Sequence, residues 1–405
     1  MSTRRSFLLG LGAVTLSAGT TARLALASAP GDRRFVVVIL RGAMDGLSAI
    51  PPYADPDYRN LRGPLAIAGP GQAQGALDLD GRFGLHPSLG TLKALYDEKQ
   101  LIVAHAVATP YRDRSHFDGQ DLLENGTMVP HGTADGWLNR TLALLDGGDQ
   151  AGIALGDQVP LILRGKVEVA SWAPKKLPGA DADFIAQVEQ MYQASPVLLA
   201  ALEGALSANR MASEALGTDQ GSMDAMAGGG GYRRGAAKVL AEAAGKFLAD
   251  PKGARIAVLE INGWDTHSGQ GTVNGRLAQA LAELDDAAAA LRQSLGAAWN
   301  RTAVLTATEF GRTAAPNGTG GTDHGTATGA FLMGGAIEGG RVLTDWPGLD
   351  RSRLYQGRDL APTMDLHAMA KGVLQGHLGL PPDALARAVF PGSDQIAPIQ
   401  DLIRA

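Results

Sequence analysis

Short runs of apolar residues, several rich in β-branched side chains, recur along the chain and end at glycine or polar residues. They cover residues 34–40, 101–107, parts of 153–169, 256–261, 303–306 and 330–333. A continuous apolar run bounded by glycine is typical of a strand buried on both faces, as in a parallel sheet. Helical spacing of apolar residues occupies residues 88–97, 115–124 and 277–295. Strands that alternate with helices predict an α/β fold whose mostly parallel sheet has helices on both faces.

Residues 181–250 differ in character from the rest of the chain. They are rich in alanine and leucine at helical spacing, and four consecutive glycines interrupt them at 228–231. We interpret this segment as a helical insertion or helical layer rather than a separate domain. Residues 30–405 are therefore expected to form one domain.

The first 29 residues have the features of an export signal. Arg4 and Arg5 precede an apolar run over residues 7–18, and small residues follow up to Ala29. Paired arginines, an apolar region and a small-residue cleavage site indicate the twin-arginine route. The alternative is a membrane anchor, but the run is shorter than the ~20 residues of a spanning helix. The sequence thus predicts a periplasmic or extracellular protein that engages the twin-arginine translocase and keeps no stable membrane span after cleavage.

The amino-acid composition limits which partners and which metal ligands the protein can have. The 41 acidic and 36 basic residues give a net charge of −5, and no block of Lys or Arg follows the signal, which argues against nucleic acid as a partner. The chain has no cysteine. Any metal must therefore be bound by histidine, carboxylate or hydroxyl groups.

Carboxylates and imidazoles recur where the predicted strands end. They are Asp45, Asp265, His267, Glu309, Asp323 and His324. Taken singly, the pair Asp45–Gly46 is usually a plain turn, and residues 265–267 are equally well explained as a turn with an exposed histidine. Their recurrence at strand ends favours a site for Zn²⁺, Mn²⁺, Mg²⁺ or Ca²⁺.

Four residues beside these strand ends have two interpretations each. Ser115 is either a helix N-cap or a nucleophile, and His116 is either a metal ligand or a substrate contact. Arg41 and Arg312 either bind an anionic group in bidentate fashion or neutralise the neighbouring carboxylates.

The remaining histidines have structural explanations. His86 precedes a proline, and His105 lies inside an apolar run and is expected in the core. His367 and His377 lie on a predicted C-terminal helix, where we expect surface positions.

The ordered motifs resemble the family called domain of unknown function 1501. This family is placed in the alkaline-phosphatase-like superfamily, with sulfatases and cofactor-independent phosphoglycerate mutases. The matching segments span residues 40–47, 83–87, 115–120, 263–267, 308–312 and 321–325.

The resemblance implies roles for individual residues. Asp45 matches the first metal ligand of the superfamily, Ser115 its nucleophile and His324 its last histidine ligand. Apart from the resemblance, Arg312 is predicted as a catalytic residue from its place beside the acidic strand ends, where it would bind an anionic oxygen. An alkaline-phosphatase-like fold is the expected architecture.

Two motifs depart from the superfamily pattern. Asp265 and His267 resemble its ligand pair, although only one residue separates them here. Glu309 stands where the superfamily has an Asp-His pair, so the carboxylate is kept and the imidazole is lost. Asp323 substitutes for the missing ligand, or that site holds a harder ion, or one metal is absent.

Two functions follow from the resemblance. The first is a metal-dependent hydrolase that acts on a small or polymeric phosphate or sulfate ester, since such metals activate an oxygen nucleophile. The alternative is a catalytically degenerate family member that binds a metal or a polymer in the periplasm.

Overall fold

The computed structural model describes residues 32–145, 151–173, 182–195, 198–199, 202, 206, 235–251 and 253–404. The predicted signal at 1–29 and most of residues 196–234 lie outside the described residues. Among the helices of the described part, none is long and apolar enough to cross a membrane.

Eleven strands occur in the described ranges. They are β1 (Arg34–Arg41), β2 (Leu77–Asp78), β3 (Gly84–Leu85), β4 (Leu101–Ala108), β5 (Gly152–Leu155), β6 (Ala170–Trp172), β7 (Ile256–Asn262), β8 (Thr302–Ala307), β9 (Thr328–Met333), β10 (Arg341–Leu343) and β11 (Met364–Asp365). The helices are α1 (Gly46–Ala49), α2 (Tyr58–Arg62), α3 (Gly90–Asp97), α4 (His116–Asn125), α5 (Trp137–Leu144), α6 (Ala182–Tyr192), α7 (Ala236–Ala249), α8 (Arg276–Leu295), α9 (Leu366–Leu378) and α10 (Pro382–Ala384).

The main sheet has the strand order β10-β4-β9-β8-β1-β7-β5-β6, with β11 paired to β4. All pairs in it are parallel except those of β9, which runs antiparallel to β4 and β8. β1, β4, β7 and β8 therefore end at one edge, and the loop that enters β9 starts there. The predicted mostly parallel α/β fold is confirmed.

Helices cover both faces of this sheet. The even-numbered side chains of β1 pack against α3, α7 and α8, and the odd-numbered ones pack against α5 and α9. Successive side chains of a strand point to opposite faces, so a central strand needs apolar residues throughout. All but the last residue of β1 are buried. Helix α7, from the alanine-rich segment, forms part of one helical layer.

The surface positions expected for His367 and His377 are wrong. Both are buried, with relative exposures of 3% and 1%. The reason is that α9 lies against the sheet and contributes apolar residues to the core on that face. The expectation for His86 and His105 is confirmed, because both are fully buried.

Candidate metal centre

The predicted site residues come from loops that meet at the edge of the sheet where the parallel strands end. Asp45 follows β1, Asp265 and His267 follow β7, and Glu309 follows β8. Ser115 and His116 start α4, which follows β4. The loop before β9 carries Arg312, Asp323 and His324.

Three imidazoles surround one carboxylate at this edge, and we call His116, Asp265, His267 and His324 the His–Asp cluster. Oδ1 of Asp265 lies 3.1 Å from Nε2 of His267, 3.4 Å from Nε2 of His324 and 3.6 Å from Nε2 of His116. Ligand atoms of His116, Asp265 and His324 all lie within 4.8 Å of one another. The cluster is half-buried, so a small ion has access to it.

Each imidazole of the cluster is oriented by an oxygen acceptor at Nδ1. The Nδ1 atoms lie 2.7 Å from Glu309 Oε1 in His116, 3.1 Å from Asp323 Oδ1 in His267 and 2.9 Å from the Arg114 carbonyl in His324. An ionised carboxylate or a carbonyl can only accept, so Nδ1 carries the hydrogen in all three rings. The lone pair of each Nε2 is left to face the cluster, as in metal-binding histidines.

This arrangement of lone pairs fits a cation. Nε2 of His267 and Nε2 of His324 are 2.9 Å apart, although neither carries a hydrogen in this tautomer. Nε2 of His116 is buried and has no hydrogen-bond partner among the described residues. Ligands 2.0–2.1 Å from a tetrahedral zinc ion are about 3.3 Å apart, close to the separations found here. An ion between them would satisfy Nε2 of His116 and of His324 together with Asp265.

Arg312 neutralises Asp265. Its side chain is fully buried, and Nη1 donates to Asp265 Oδ1 at 2.6 Å. Burial acts to raise the pKa of Asp265, but the hydrogen bond and charge of Arg312 outweigh it and leave that pKa below its ordinary value. The remaining nitrogens of Arg312 donate to Thr322. Of its two interpretations, the geometry therefore matches carboxylate neutralisation.

Glu309 lies behind His116 and is fully buried. Its Oε1 accepts from His116 Nδ1 at 2.7 Å, from Gln120 Nε2 at 3.0 Å and from the Gly42 N–H at 3.0 Å. Burial acts to raise the pKa of Glu309, but the bonds from His116 and Gln120 lower it further than burial raises it. In return, the bond to Glu309 raises the pKa of His116. A proton and a metal ion therefore compete for Nε2 of His116.

Asp45 does not face the cluster. It is buried and forms an ion pair with the fully buried Arg62. Oδ2 also accepts from Gln270 Nε2 at 2.6 Å and from Ser48 Oγ at 3.0 Å, and Oδ1 accepts from the Leu47 N–H at 3.2 Å. Both carboxylate oxygens are thus occupied by protein donors.

A chain of buried hydrogen bonds nevertheless links Asp45 to the cluster. Gln270 Oε1 accepts from Thr322 Oγ1 at 2.7 Å, and Thr322 Oγ1 accepts from Arg312 Nε at 3.2 Å. Arg312 then holds Asp265. Asp45 is therefore connected to Asp265 through Gln270, Thr322 and Arg312.

Ser115 and Asp323 lie next to the cluster histidines. Ser115 takes the predicted N-cap position of α4, but its side chain makes no capping hydrogen bond. Asp323 accepts from His267 Nδ1 and from Asn317 Nδ2, the latter at 3.0 Å. The bond from Asn317 is the main reason that the pKa of Asp323 lies below its ordinary value.

Two contributors had little or no sequence signal. The Arg114 carbonyl that orients His324 comes from a residue with φ of 62°, a left-handed conformation uncommon outside glycine. An ion pair of Arg114 with buried Asp359, 2.7 Å long, helps to hold this backbone. Gln120 follows His116 by four residues on α4, a spacing that placed it on the same helical face.

A family model described as Protein of unknown function (DUF1501) matches residues 32–388. No curated protein matches the chain. Solved structures give weak matches. Ps i-CgsB in complex with k-i-k-neocarrahexaose is 11% identical, with 76% of this chain and 68% of that chain covered and a TM-score of 0.38.

Two further structures match to a similar degree. The C-terminal periplasmic domain of EcEptC from Escherichia coli, in complex with Zn, is 10% identical, with coverage of 76% and 74% and a TM-score of 0.35. The phosphonate monoester hydrolase of Agrobacterium radiobacter is 11% identical, with coverage of 86% and 74% and a TM-score of 0.34. The family model covers most of the chain, so the assignment of the chain to a family rests on that match and not on the solved structures.

Proposed function

The chain belongs to the DUF1501 family, and from this premise we propose that it is an exported, metal-dependent hydrolase of phosphate or sulfate esters. The observation that carries the proposal is the buried Nε2 of His116, which has no hydrogen-bond partner among the described residues, in a residue whose ligand atom lies within 4.8 Å of those of His324 and Asp265. The resemblance to the alkaline-phosphatase-like superfamily supports the reaction class.

The proposed ligands are His116, His324 and Asp265, whose ligand atoms lie within 4.8 Å of one another, and His267, which reaches Asp265 at 3.1 Å and His324 at 2.9 Å. Three imidazole nitrogens and one carboxylate favour zinc over Mg²⁺ or Ca²⁺, which prefer oxygen ligands. When bound, such an ion polarises an ester oxygen and stabilises charge on the departing group. Asp45 and Glu309 are saturated by protein donors, so the proposal places one ion here rather than two.

The other residues of the site hold these ligands in place. Glu309 and Asp323 keep the hydrogens of His116 and His267 on Nδ1, and Arg312 keeps Asp265 ionised. These carboxylates are thus proposed as orienting groups, a role different from the direct ligation that the sequence suggests.

We propose Ser115 as the nucleophile, because it directly precedes His116 at the N-terminus of α4, where the helix dipole favours negative charge. Its Oγ would form a bond to phosphorus or sulfur while the ester oxygen leaves with a proton. Water would then cleave that bond and release phosphate or sulfate. The hydroxyl proton passes to solvent or to the departing oxygen, so the two steps add up to hydrolysis.

Metal analysis and an ester panel test the proposal. Protein purified from the periplasm is expected to contain about one zinc ion per chain and to cleave at least one aryl phosphate, phosphodiester or aryl sulfate. The panel is repeated with Zn²⁺, Mn²⁺, Mg²⁺ and Ca²⁺. Bound metal without turnover would favour the binding protein instead, an alternative supported by the saturation of Asp45 and Glu309. Protein that neither binds metal nor cleaves any ester would overturn both the hydrolase and the metal-binding alternative.

Ser115→Ala tests the nucleophile separately. Loss of a covalent route should lower kcat by orders of magnitude while the metal is retained. Because the Ser115 side chain makes no capping bond, the free energy of unfolding should hardly change. Ser88→Ala, a serine near the start of α3, is the matched control and should leave kcat unchanged. Equal rates in all three proteins would exclude a nucleophilic Ser115.

Export rests on the first 29 residues, which lie outside the described part of the chain. Since the arginine pair is what the twin-arginine route reads, the double change Arg4→Lys and Arg5→Lys should leave the precursor in the cytoplasm. Cell fractionation measures this directly. Unchanged periplasmic accumulation of the double variant would contradict the assignment.

A further inference from the structure

A polar cavity of about 580 Å³ lies beside the His–Asp cluster. Its wall includes the ends of β1 and β7, the end of β5 and one face of α4. Its volume is within the roughly 300–1,000 Å³ that is typical of small-molecule sites. The carboxyl ends of parallel strands are also where α/β folds bind their ligands.

Helix α4 connects the cavity to the cluster. His116, Gln120 and Glu124 follow one another at intervals of four residues, so they lie along one helical face. Gln120 and Glu124 line the cavity, while His116 belongs to the cluster. Gln120 and His116 donate to the same oxygen of Glu309. With a rise of 1.5 Å per residue, the cavity begins about 6 Å from His116 along the helix.

The charges of the cavity wall largely cancel. Arg41 donates to Glu124 at 2.7 Å and to Glu260 at 2.5 Å, so its guanidinium is already balanced by two carboxylates. Asp157 and Arg164 are the other charged residues of the wall. Three acidic and two basic side chains provide no positive field that would attract a second anionic group.

The rest of the wall combines amides with an apolar surface. Gln120, Gln158 and Asn262 present amide groups, and leucine, valine and proline side chains complete the lining. Amide, carboxylate and guanidinium groups can form hydrogen bonds with adjacent hydroxyl groups of a ligand. The apolar part of the wall can pack against the C–H face of a ligand ring. A neutral, hydroxyl-rich group satisfies both kinds of surface.

We infer that this cavity binds the alcohol part of the ester substrate, and that this part is a neutral polyhydroxylated group such as a sugar. The inference rests on the proposed hydrolase function for the position of the ester at the cluster. The binding of the alcohol part itself depends only on the cavity.

Asn262→Leu tests the cavity with a matched control. Asn262 is the exposed last residue of β7 and lines the cavity, whereas exposed Asn300 lies just before β8 at the opposite edge of the sheet. Saturation-transfer NMR measures binding of glucose, galactose, maltose and cellobiose to the full-length mature protein. Wild type and Asn300→Leu are expected to bind at least one of these sugars, and Asn262→Leu to bind it at least tenfold more weakly.

A kinetic comparison separates this inference from the proposed function. Glucose 1-phosphate and glucose 6-sulfate are compared with 4-nitrophenyl phosphate and 4-nitrophenyl sulfate. Asn262→Leu should lower the ratio of kcat/KM for sugar ester over aryl ester at least tenfold, and Asn300→Leu should leave it unchanged. If aryl esters are cleaved but no sugar binds, the cavity inference is overturned and the hydrolase stands. If sugars bind through Asn262 but no ester is cleaved, the hydrolase falls and the cavity stands.

Discussion

Seven of the eight histidines form two groups, and in six of these rings the nitrogen that donates to an oxygen differs between the groups. In the His–Asp cluster, Nδ1 donates to an oxygen and Nε2 faces the other ligands. In the core, Nε2 is the donating atom: it lies 3.0 Å from the Thr272 carbonyl in His86, 3.0 Å from the Ile50 carbonyl in His105 and 2.8 Å from the Arg34 carbonyl in His377. Nδ1 of His86 and of His105 accepts from a backbone N–H. His367, the fourth core histidine, has no hydrogen-bond partner at either nitrogen among the described residues.

The comparison shows what separates a ligand from a packing residue in this fold. Burial lowers the pKa of His105, His367 and His377 to about 4, so these rings are neutral at pH 7 and held by the core. The cluster rings are half-buried, and each is turned by an acceptor at Nδ1 so that an unprotonated Nε2 converges on its neighbours. The ring nitrogen that donates, rather than the presence of histidine, identifies the site.

Lowering the pH should have its largest effect on stability through the buried core histidines. Unfolded histidine has a pKa near 6.5 and the three buried rings near 4, so the unfolded state binds more protons between these values. The stability from each neutral ring is fully present above pH 6.5 and is lost as the pH falls to 4, roughly 3 kcal/mol per ring. Urea denaturation of metal-free protein at pH 7, 5.5 and 4.5 measures this. A flat stability curve over that range would contradict the buried neutral state.

Single substitutions in the two groups should have opposite effects. His324→Ala removes a ligand, so metal affinity should fall by more than the ~100-fold known for indirect contacts, and activity should be lost while the fold persists. His377→Ala removes the buried hydrogen bond to the Arg34 carbonyl and leaves a cavity in the core, so it should cost about 1–3 kcal/mol of stability with metal retained. Metal content and urea melts of both variants give the comparison. Retained metal in His324→Ala would end the ligand assignment.

The acceptors behind the cluster should have graded effects. Glu309→Gln keeps the shape of the buried acceptor but removes its charge from His116, so metal affinity should fall about 10–100-fold. Asp323→Asn is the control, because this carboxylate is half exposed and solvent screens its effect on His267. Chelator competition measures both dissociation constants. Equal losses in the two variants would contradict the role of burial at Glu309.

The smallest effect is expected at His367. Its nitrogens have no hydrogen-bond partner in the part of the chain that the structure describes, and its ring lies 5.1 Å from that of Phe390. His367→Phe should therefore be neutral or stabilise the protein by about 1 kcal/mol, since it removes buried polar atoms without leaving a partner unpaired. It should also reduce the loss of stability in acid. Destabilisation by more than 2 kcal/mol would show that the ring has a polar role.

The sequence by itself determined the frame of this protein. Apolar runs that end at glycine or polar residues predicted β1, β4, β7 and β8, and helical spacing predicted α3 and α8, because both signals are local in the sequence. Parallel strands end at a common edge, so Asp265, His267 and His324 could be grouped before any side chain was placed.

Only the tertiary structure decided which polar groups face the centre. Asp45 and Asp265 both follow strands, yet Asp45 is bound by Arg62 and Gln270, whereas Asp265 is held by Arg312 beside three imidazoles. His116 is hydrogen-bonded to Glu309, 193 residues away in the sequence, and His324 to the Arg114 carbonyl, 210 residues away. Such hydrogen bonds join residues that are distant in sequence. Whether each one forms depends on the burial of its acceptor oxygen and on which donors lie within hydrogen-bond distance of that oxygen. The periodicity of the sequence is local and does not specify these long-range partners. The partners are therefore determined only when the ends of the strands pack together.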